Sequence, residues 1–139
     1  MKTGQINKYF IFLVILSMQQ LAFASGGGGG GNNATSKYFS ISPPMVVNIT
    51  DHGRVRHLQV SIQLRLENPA DANLLNEHKP AIQHELVMLL SGREAKDVRS
   101  TKGKETLRTE ATEKLKKVLQ ESTGKPLINA VYFTAFVIQ

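Results

Sequence analysis

Apolar and polar side chains alternate strictly between His57 and Glu67. Every second position holds leucine, valine or isoleucine, and the positions between them are polar or charged. Because successive side chains of a strand point to opposite faces, this period of two predicts a β-strand with one buried face and one solvated face. Asn68-Pro69 ends the pattern, since proline cannot donate to a strand ladder.

Two other segments have the composition of strands. Lys37–Ile41 alternates, with Phe39 and Ile41 on one face, and Met45–Ile49 is a short apolar run that follows Pro43-Pro44. Proline is tolerated only at the start of a strand or on the edge of a sheet. Pro44 is therefore predicted to begin the second strand segment or to lie on a sheet edge. The segment from Ile128 to Ile138 is apolar on both faces, which predicts either a central strand or a strand with one face covered by a partner.

Two helical patterns lie between these strands. Pro80 divides the first into a short helix and a longer one that starts near Lys79, because proline fits only the first turn of a helix. The second pattern starts near Lys104 and ends at Thr123-Gly124, where glycine is a common helix terminator. The apolar stripes consist of Leu75, Ile82, Leu86 and Leu89 in the first pattern, and of Leu107, Ala111, Leu115, Val118 and Leu119 in the second.

The element order is therefore β–β–α–α–β. This order predicts an α+β domain, in which a small antiparallel or mixed sheet carries two main helices packed on one face. The predicted domain covers residues 37–139, a normal size for a single domain.

The first 24 residues have the pattern of an export signal. Lys2 and Lys8 give a positive start, the run from Tyr9 to Leu16 is apolar, and Ala22-Phe23-Ala24 is a small-x-small cleavage pattern. The apolar run is much shorter than the roughly 20 residues that span a bilayer. We therefore expect a cleaved signal peptide, with an uncleaved membrane anchor as the alternative, and either one predicts an exported domain.

A glycine-rich segment separates this leader from the domain. Gly26 to Gly31 are consecutive glycines, and the small or polar residues that follow offer no apolar anchor. Such a composition is typical of a flexible linker, which we place at residues 25–36.

Composition and charge exclude several classes of protein. The chain of 139 residues has no cysteine, which excludes disulfides, Cys-ligated metals and thiol nucleophiles. The formal net charge is +6, and without Lys2 and Lys8 the rest of the chain has 15 basic and 11 acidic residues, or +4. In an exported domain with mixed charges and no aromatic residues interleaved with basic ones, this balance does not favour a nucleic-acid partner.

No residue pattern predicts catalysis or a cofactor. The spacing of His52, His57, His78 and His84 matches no metal motif. Acidic and basic residues are interleaved on the second helix, as on a solvated helix face. We therefore expect no enzyme, no metal and no cofactor, but a module that acts by interaction.

Several stretches together resemble one protein family. The chain is similar to the FliL family of flagellar basal body-associated proteins, and the match follows the same order along nearly the whole domain. The stretches that carry the resemblance are Ser42–Ile49, Arg56–Leu64, His78–Ile82 with Leu89–Ser91, Asp97–Arg108 and Val131–Gln139.

The resemblance implies a non-catalytic periplasmic protein that lies at the inner membrane beside the flagellar motor. It implies a stomatin-like (SPFH-like) fold, a tendency to form homo-oligomers or rings, and contact with flagellar stator subunits in support of rotation and motility. Contact with the inner membrane is expected if the leader is retained. Family members usually have a cytoplasmic stub and a full membrane-spanning helix, and the short leader departs from that pattern. The alternative is a periplasmic adaptor unrelated to motility.

The strand regions Met45–Ile49 and Val131–Ile138 are candidate assembly surfaces, because both are apolar and Pro43-Pro44 precedes the first. The alternative interpretation is that their apolar side chains form the core, as in most strands. The candidate residues are Pro43, Pro44, Met45, Val47, Tyr132 and Phe136.

Overall fold

A computed structural model describes residues 36–139 of the chain. The predicted leader and most of the predicted glycine-rich linker, residues 1–35, lie outside the described residues. Within residues 36–139, no helix has both the length and the apolar character needed to cross a membrane.

Three antiparallel strands form one sheet, in the order β1-β2-β3. The strands are β1 (Tyr38–Asp51), β2 (Arg54–Leu66) and β3 (Ile128–Ile138). The alternating segment is the central strand β2, which confirms the strand predicted there. His52 and Gly53 join β1 to β2 with φ angles of 48° and 77°. This positive-φ pair forms the two-residue turn whose twist suits an antiparallel hairpin.

The position of β3 excludes one of the two alternatives predicted for it. Among the described residues this strand pairs with β2 alone and lies at the edge of the sheet, so it is not a central strand. Its second apolar face is not buried within the domain, since the side chain of Val137 is 46% exposed. The apolar composition of β3 thus reflects one packed face and one face that is open in the isolated chain.

Helices connect β2 to β3. A 3₁₀ turn (Pro69–Asp71) leads into α1 (Ala72–Glu77), α2 (Lys79–Leu90), α3 (Ala95–Arg99) and α4 (Thr101–Thr123). The break between α1 and α2 falls just before Pro80, which confirms the predicted division. Pro80 occupies the first turn of α2, where a missing N–H costs no hydrogen bond.

The helix α4 begins earlier than the apolar pattern indicates. The Ser100 hydroxyl oxygen accepts a hydrogen bond of 2.9 Å from the backbone N–H of Gly103 and caps the helix. This cap satisfies an amide that has no partner inside the helix, so the first turn forms without an apolar residue. At the other end Gly124 adopts a left-handed conformation and terminates the helix.

All the core side chains of the sheet point to one face, and the helices cover that face. The other face of the sheet is polar or partly exposed. Among the described residues no polar or charged residue is classed as buried. The α+β class and the packing of helices on one face of a three-stranded antiparallel sheet are therefore as predicted. The central inward row on β2 consists of Leu58, Val60, Ile62, Leu64 and Leu66, and the helices contribute mainly Leu75, Ile82, Leu86, Leu90, Leu107, Leu115 and Leu119.

Gly103 lies where the backbones of α3 and α4 approach closely. A Cβ atom on Gly103 would overlap the Asp97 carbonyl oxygen and lie 2.7 Å from its carbon and 2.8 Å from Ser100 Oγ. In an open helix, alanine would be about 1 kcal/mol more favourable than glycine. Here the neighbouring atoms are mainly backbone, which cannot move away by a simple rotamer change.

We predict that Gly103→Ala lowers the free energy of unfolding by about 1–3 kcal/mol, the usual cost of overpacking. Chemical denaturation of the full-length protein measures the change. Lys102→Ala is the matched control, because Lys102 is an exposed neighbour in the same helical turn. A Gly103→Ala variant as stable as this control would show that the close approach does not constrain the fold.

The tip of the β1–β2 hairpin is held by an ion pair with α3. The guanidinium group of Arg99 donates two hydrogen bonds, of 2.9 and 3.2 Å, to the carboxylate of Asp51. These bonds lower the pKa of Asp51 below its usual value. A lowered carboxylate pKa stabilises the folded state above the unfolded pKa, and the stabilisation is lost as the pH falls through the folded pKa.

We predict that Asp51→Asn is less stable than the wild type at about pH 7 and that the difference shrinks at about pH 3. Urea unfolding at both pH values measures the difference in free energy of unfolding between Asp51→Asn and the wild type. Glu113→Gln provides the control, since Glu113 is exposed and forms no ion pair within residues 36–139. A difference that stays constant from neutral to acidic pH would contradict the role of the Asp51 charge.

Candidate interaction surface

No three side chains of His, Asp or Glu within residues 36–139 gather as metal ligands. The Nδ1–H of His57 donates a hydrogen bond of 2.9 Å to Asn48 Oδ1 on the open face of the sheet, and His52 is exposed in the hairpin turn. The two edges of the sheet, β1 and β3, differ in how far their outward backbone groups are covered.

The β1 edge is covered near its C-terminal end and interrupted by a proline pair near its middle. The backbone N–H of Gly92 donates to the Asn48 carbonyl at 2.8 Å, and the Thr50 N–H donates to the Arg93 carbonyl at 2.9 Å. Upstream, Pro43 and Pro44 lack N–H groups, and the pairing with β2 is irregular between Ile41 and Met45. Prolines, bulges and covering loops are the devices that keep an edge from pairing with another chain.

The β3 edge is open in its second half. The N–H of Val131 points away from the sheet and donates to Thr112 Oγ1 of α4 at 3.0 Å. Further along, His57 and Gln139 exchange two backbone hydrogen bonds, of 3.0 and 2.9 Å. Since paired and outward residues alternate in an antiparallel ladder, the N–H and C=O groups of Phe136 and Ile138 point outward.

A β-bulge determines which side chains of β3 face the helices. Ser61 pairs with Ala135 but Ile62 pairs with Phe133, so Thr134 is an extra residue in β3. The bulge places Phe133 and Phe136 on the same face, toward the helices, with ring centroids 5.3 Å apart. Both rings are only partly buried. They leave apolar surface beside the open backbone.

The helix α4 runs along this part of β3 and completes a groove of about 400 Å³. Thr101, Lys104, Glu105 and Arg108 form the helical wall, at a spacing that places them on one flank of α4. Residues 132–136 form the other wall. The groove is therefore bounded by an edge strand on one side and by polar and charged helix residues on the other.

The charges in the groove are unequal. Glu105 and Arg108 form an ion pair, whose hydrogen bonds lower the pKa of Glu105 and raise the pKa of Arg108. Lys104 Nζ lies 5.3 Å from the centroid of the Phe136 ring, within the range of a cation–π contact. Lys104 forms no ion pair with any described residue. The groove thus has an uncompensated positive charge above an aromatic ring.

The six residues predicted to form an assembly surface lie in three different environments. Met45 and Val47 are core residues with 7% and 4% exposure, because their side chains point toward the helices. Pro43 and Pro44 are exposed on β1. Tyr132 and Phe136 lie on β3, at the opposite edge, so the two regions do not form one surface. A role of any of these residues in assembly remains a prediction.

Sequence reasoning did not identify Lys104, Arg108 and Phe133 as members of a surface. The spacing of Lys104 and Arg108 does indicate one helix flank. It does not indicate which strand lies beside that flank, because the contact depends on how α4 returns to β3. Phe133 and Phe136 share a face only because of the bulge at Thr134, which has no glycine or proline to mark it.

Comparison with known proteins identifies relatives over the whole described fold. The family model for the flagellar basal body-associated protein FliL matches residues 38–139, from the first residue of β1 to the end of the chain. The chain is 27% identical over 101 residues to the flagellar protein FliL of Aquifex aeolicus, covering 73% of this chain and 60% of that protein. It is 30% identical over 104 residues to the flagellar protein FliL of Escherichia coli K12, covering 75% of this chain and 66% of that protein.

The chain thus spans less than two thirds of the length of these relatives. The region matched to the family contains all three strands and all four helices. The resemblance found in the separate stretches of sequence is therefore confirmed across one continuous domain, and the chain belongs to the FliL family.

Proposed function

We propose that the protein is a non-catalytic component associated with the flagellar basal body, where it supports the motor stator and flagellar rotation through self-assembly and stator contact. The observation that carries this proposal is the family match over the complete fold, from Tyr38 to Gln139. The names of the relatives, each a flagellar protein FliL, support the flagellar part of the proposal.

The absence of any metal-ligand cluster within the described residues is compatible with a role in contact rather than chemistry. A stomatin-like fold and assembly into rings are part of the proposal, and their support is the family resemblance alone. Stator subunits and further copies of the chain are the proposed partners.

We also propose that the domain lies in the periplasm, at the outer face of the inner membrane near the basal body. The support is the sequence of the first 36 residues, which combines an export pattern with a glycine-rich linker. Retention of the leader would tether the domain to the membrane, and cleavage after Ala24 would release it.

We predict that deletion of the coding sequence reduces swimming and swarming on soft agar while flagellar filaments are still assembled. The physical reason is that a motor with weaker stator support delivers less torque to an intact filament. Halo diameter on soft agar measures swimming and swarming, and rotation of tethered cells measures torque. Electron microscopy shows whether the filaments are assembled. The deletion is made in a strain that also lacks any second member of the family.

Plasmid expression of the wild-type chain should restore motility, and a chain that lacks residues 128–139, the whole of β3, serves as the unfolded control. Normal swimming and swarming in the deletion strain would contradict the flagellar proposal and favour a general periplasmic adaptor.

We predict that the mature protein begins at Ser25. Mass spectrometry of the N-terminal peptide from cell fractions measures this directly. Ala22→Arg should block processing, because signal cleavage needs a small residue at this position, whereas Ala22→Ser should be processed normally. A native protein that begins at Met1 and fractionates with the inner membrane would contradict cleavage and establish the leader as an anchor.

A further inference from the structure

We propose that β3 and the facing flank of α4 form a docking groove for an extended, acidic peptide segment of a partner protein. In this arrangement the segment adds to the open edge of β3 as a fourth strand. The inference rests on the geometry of the groove and does not depend on the flagellar proposal.

The backbone of β3 offers the first part of the site. The N–H and C=O groups of Phe136 and Ile138 point away from β2, whereas the outward N–H of Val131 is already satisfied by Thr112. An added strand would pair with the open half of the edge and would stop where α4 closes over Val131. Addition of a strand to an exposed edge is a recurrent mode of peptide recognition.

The aromatic side chains offer the second part. Phe133 and Phe136 are only partly buried and face the side on which α4 lies. Because side chains of an added strand would alternate between the two faces of the sheet, every second residue of the peptide would contact these rings or the flank of α4. Apolar residues at those positions would bury aromatic surface that the domain leaves accessible.

The charge of the groove identifies the kind of peptide. Arg108 is neutralised by Glu105, but Lys104 above Phe136 has no acidic partner among the described residues. An aspartate or glutamate in the peptide would pair with Lys104 in a partly desolvated setting, where charge complementarity contributes most to specificity.

The same charge argues against a second copy of the chain as the occupant. Antiparallel pairing of two β3 strands about a two-fold axis would bring two Lys104 side chains to the same seam. Like charges that face each other across an interface are unfavourable. On the opposite edge, β1, the backbone of Gly92 and Arg93 already pairs with Asn48 and Thr50, and the proline pair interrupts the row of N–H groups.

The proposal can be tested with fluorescein-labelled peptides of about eight residues, a length that spans a typical strand. One peptide alternates valine with threonine and has an aspartate at its centre. The matched peptide has lysine in place of the aspartate. Fluorescence anisotropy with the full-length protein should show that the acidic peptide binds about tenfold more tightly, which corresponds to about 1.4 kcal/mol.

Two charge variants test the role of Lys104. Lys104→Glu should reverse the preference, so that the lysine peptide binds better than the acidic one. Lys117→Glu makes the same change of charge on α4 and should preserve the wild-type preference, because Lys117 is exposed and does not line the groove. Equal effects of the two variants would overturn the assignment of the charge to the groove.

Two variants at one position test the role of the backbone. Ile138→Pro removes an N–H that points out of the sheet, and proline is tolerated on an edge strand in that orientation. Ile138→Ala removes the same side chain but retains the N–H. Peptide binding should be lost in Ile138→Pro and retained in Ile138→Ala, with circular dichroism confirming that both variants are folded.

Amide hydrogen exchange provides a readout that does not depend on substitutions. The acidic peptide should slow exchange at Phe136 and Ile138 and leave residues on β1 unchanged. The proposal would be overturned by failure of the acidic peptide to bind at millimolar concentration, or by equal affinity for both peptides. A dimer that protects Phe136 and Ile138 without peptide would also overturn it, since a second copy would then be the occupant.

Discussion

The fold depends on covering one apolar face of a three-stranded sheet. The five inward side chains of β2 lie at the centre of that face, and each is at most 2% exposed. A sheet this small cannot bury such a row against itself, so all the helices must lie on the same side. Burial of these side chains is the main source of stability, since the ion pairs on the surface contribute little. The placement of the helices leaves the opposite face of the sheet and the second half of the β3 edge for contacts with other molecules.

Polar interactions decide where the covering helices begin and how they approach the sheet. Ser100 caps α4, and Gly103 allows its first turn to pass against the backbone of α3. Arg93, on the loop after α2, forms an ion pair with Glu110 of α4. Lys114 Nζ on α4 lies 3.0 Å from Glu85 Oε2 on α2. Such pairs are weak individually. Their effect is to fix the position of α4, and this position determines which part of β3 stays open.

Local patterns were sufficient to predict most of the fold. Each successful signal depends on only a few neighbouring residues. These signals are the alternation in β2, Pro80 in the first turn of α2 and Gly124 after α4. The short helix α3 was missed because it buries only Ala95 and Val98, too few residues to reveal a period. The position of β3 in the sheet was left undecided between two alternatives. Apolar residues on both faces of a strand indicate that the faces prefer burial, but do not show whether the domain itself buries both.

The candidate site was less predictable than the fold, because it depends on contacts distant in sequence. Lys104 and Phe136 are brought together by the return of α4 to the sheet edge, and Phe133 joins them through the bulge at Thr134. Of the residues first considered for a surface, Phe136 and Tyr132 line this groove, while Met45 and Val47 belong to the core. Alternation alone could have placed Met45 and Val47 inward, since both share the phase of Ile49 on β1.

The unequal edges of the sheet also limit how copies of this chain can join. An open-ended fibre built by strand pairing needs two receptive edges on every molecule, one for each neighbour. Within residues 36–139, Pro43-Pro44 interrupts the β1 edge and the backbone of Gly92 and Arg93 covers its end, so the longest open stretch of backbone lies on β3. Pairing through backbone hydrogen bonds therefore terminates after a single addition. A larger assembly of residues 36–139 would then need contacts other than strand pairing, and side chains on the faces of the domain would set its geometry.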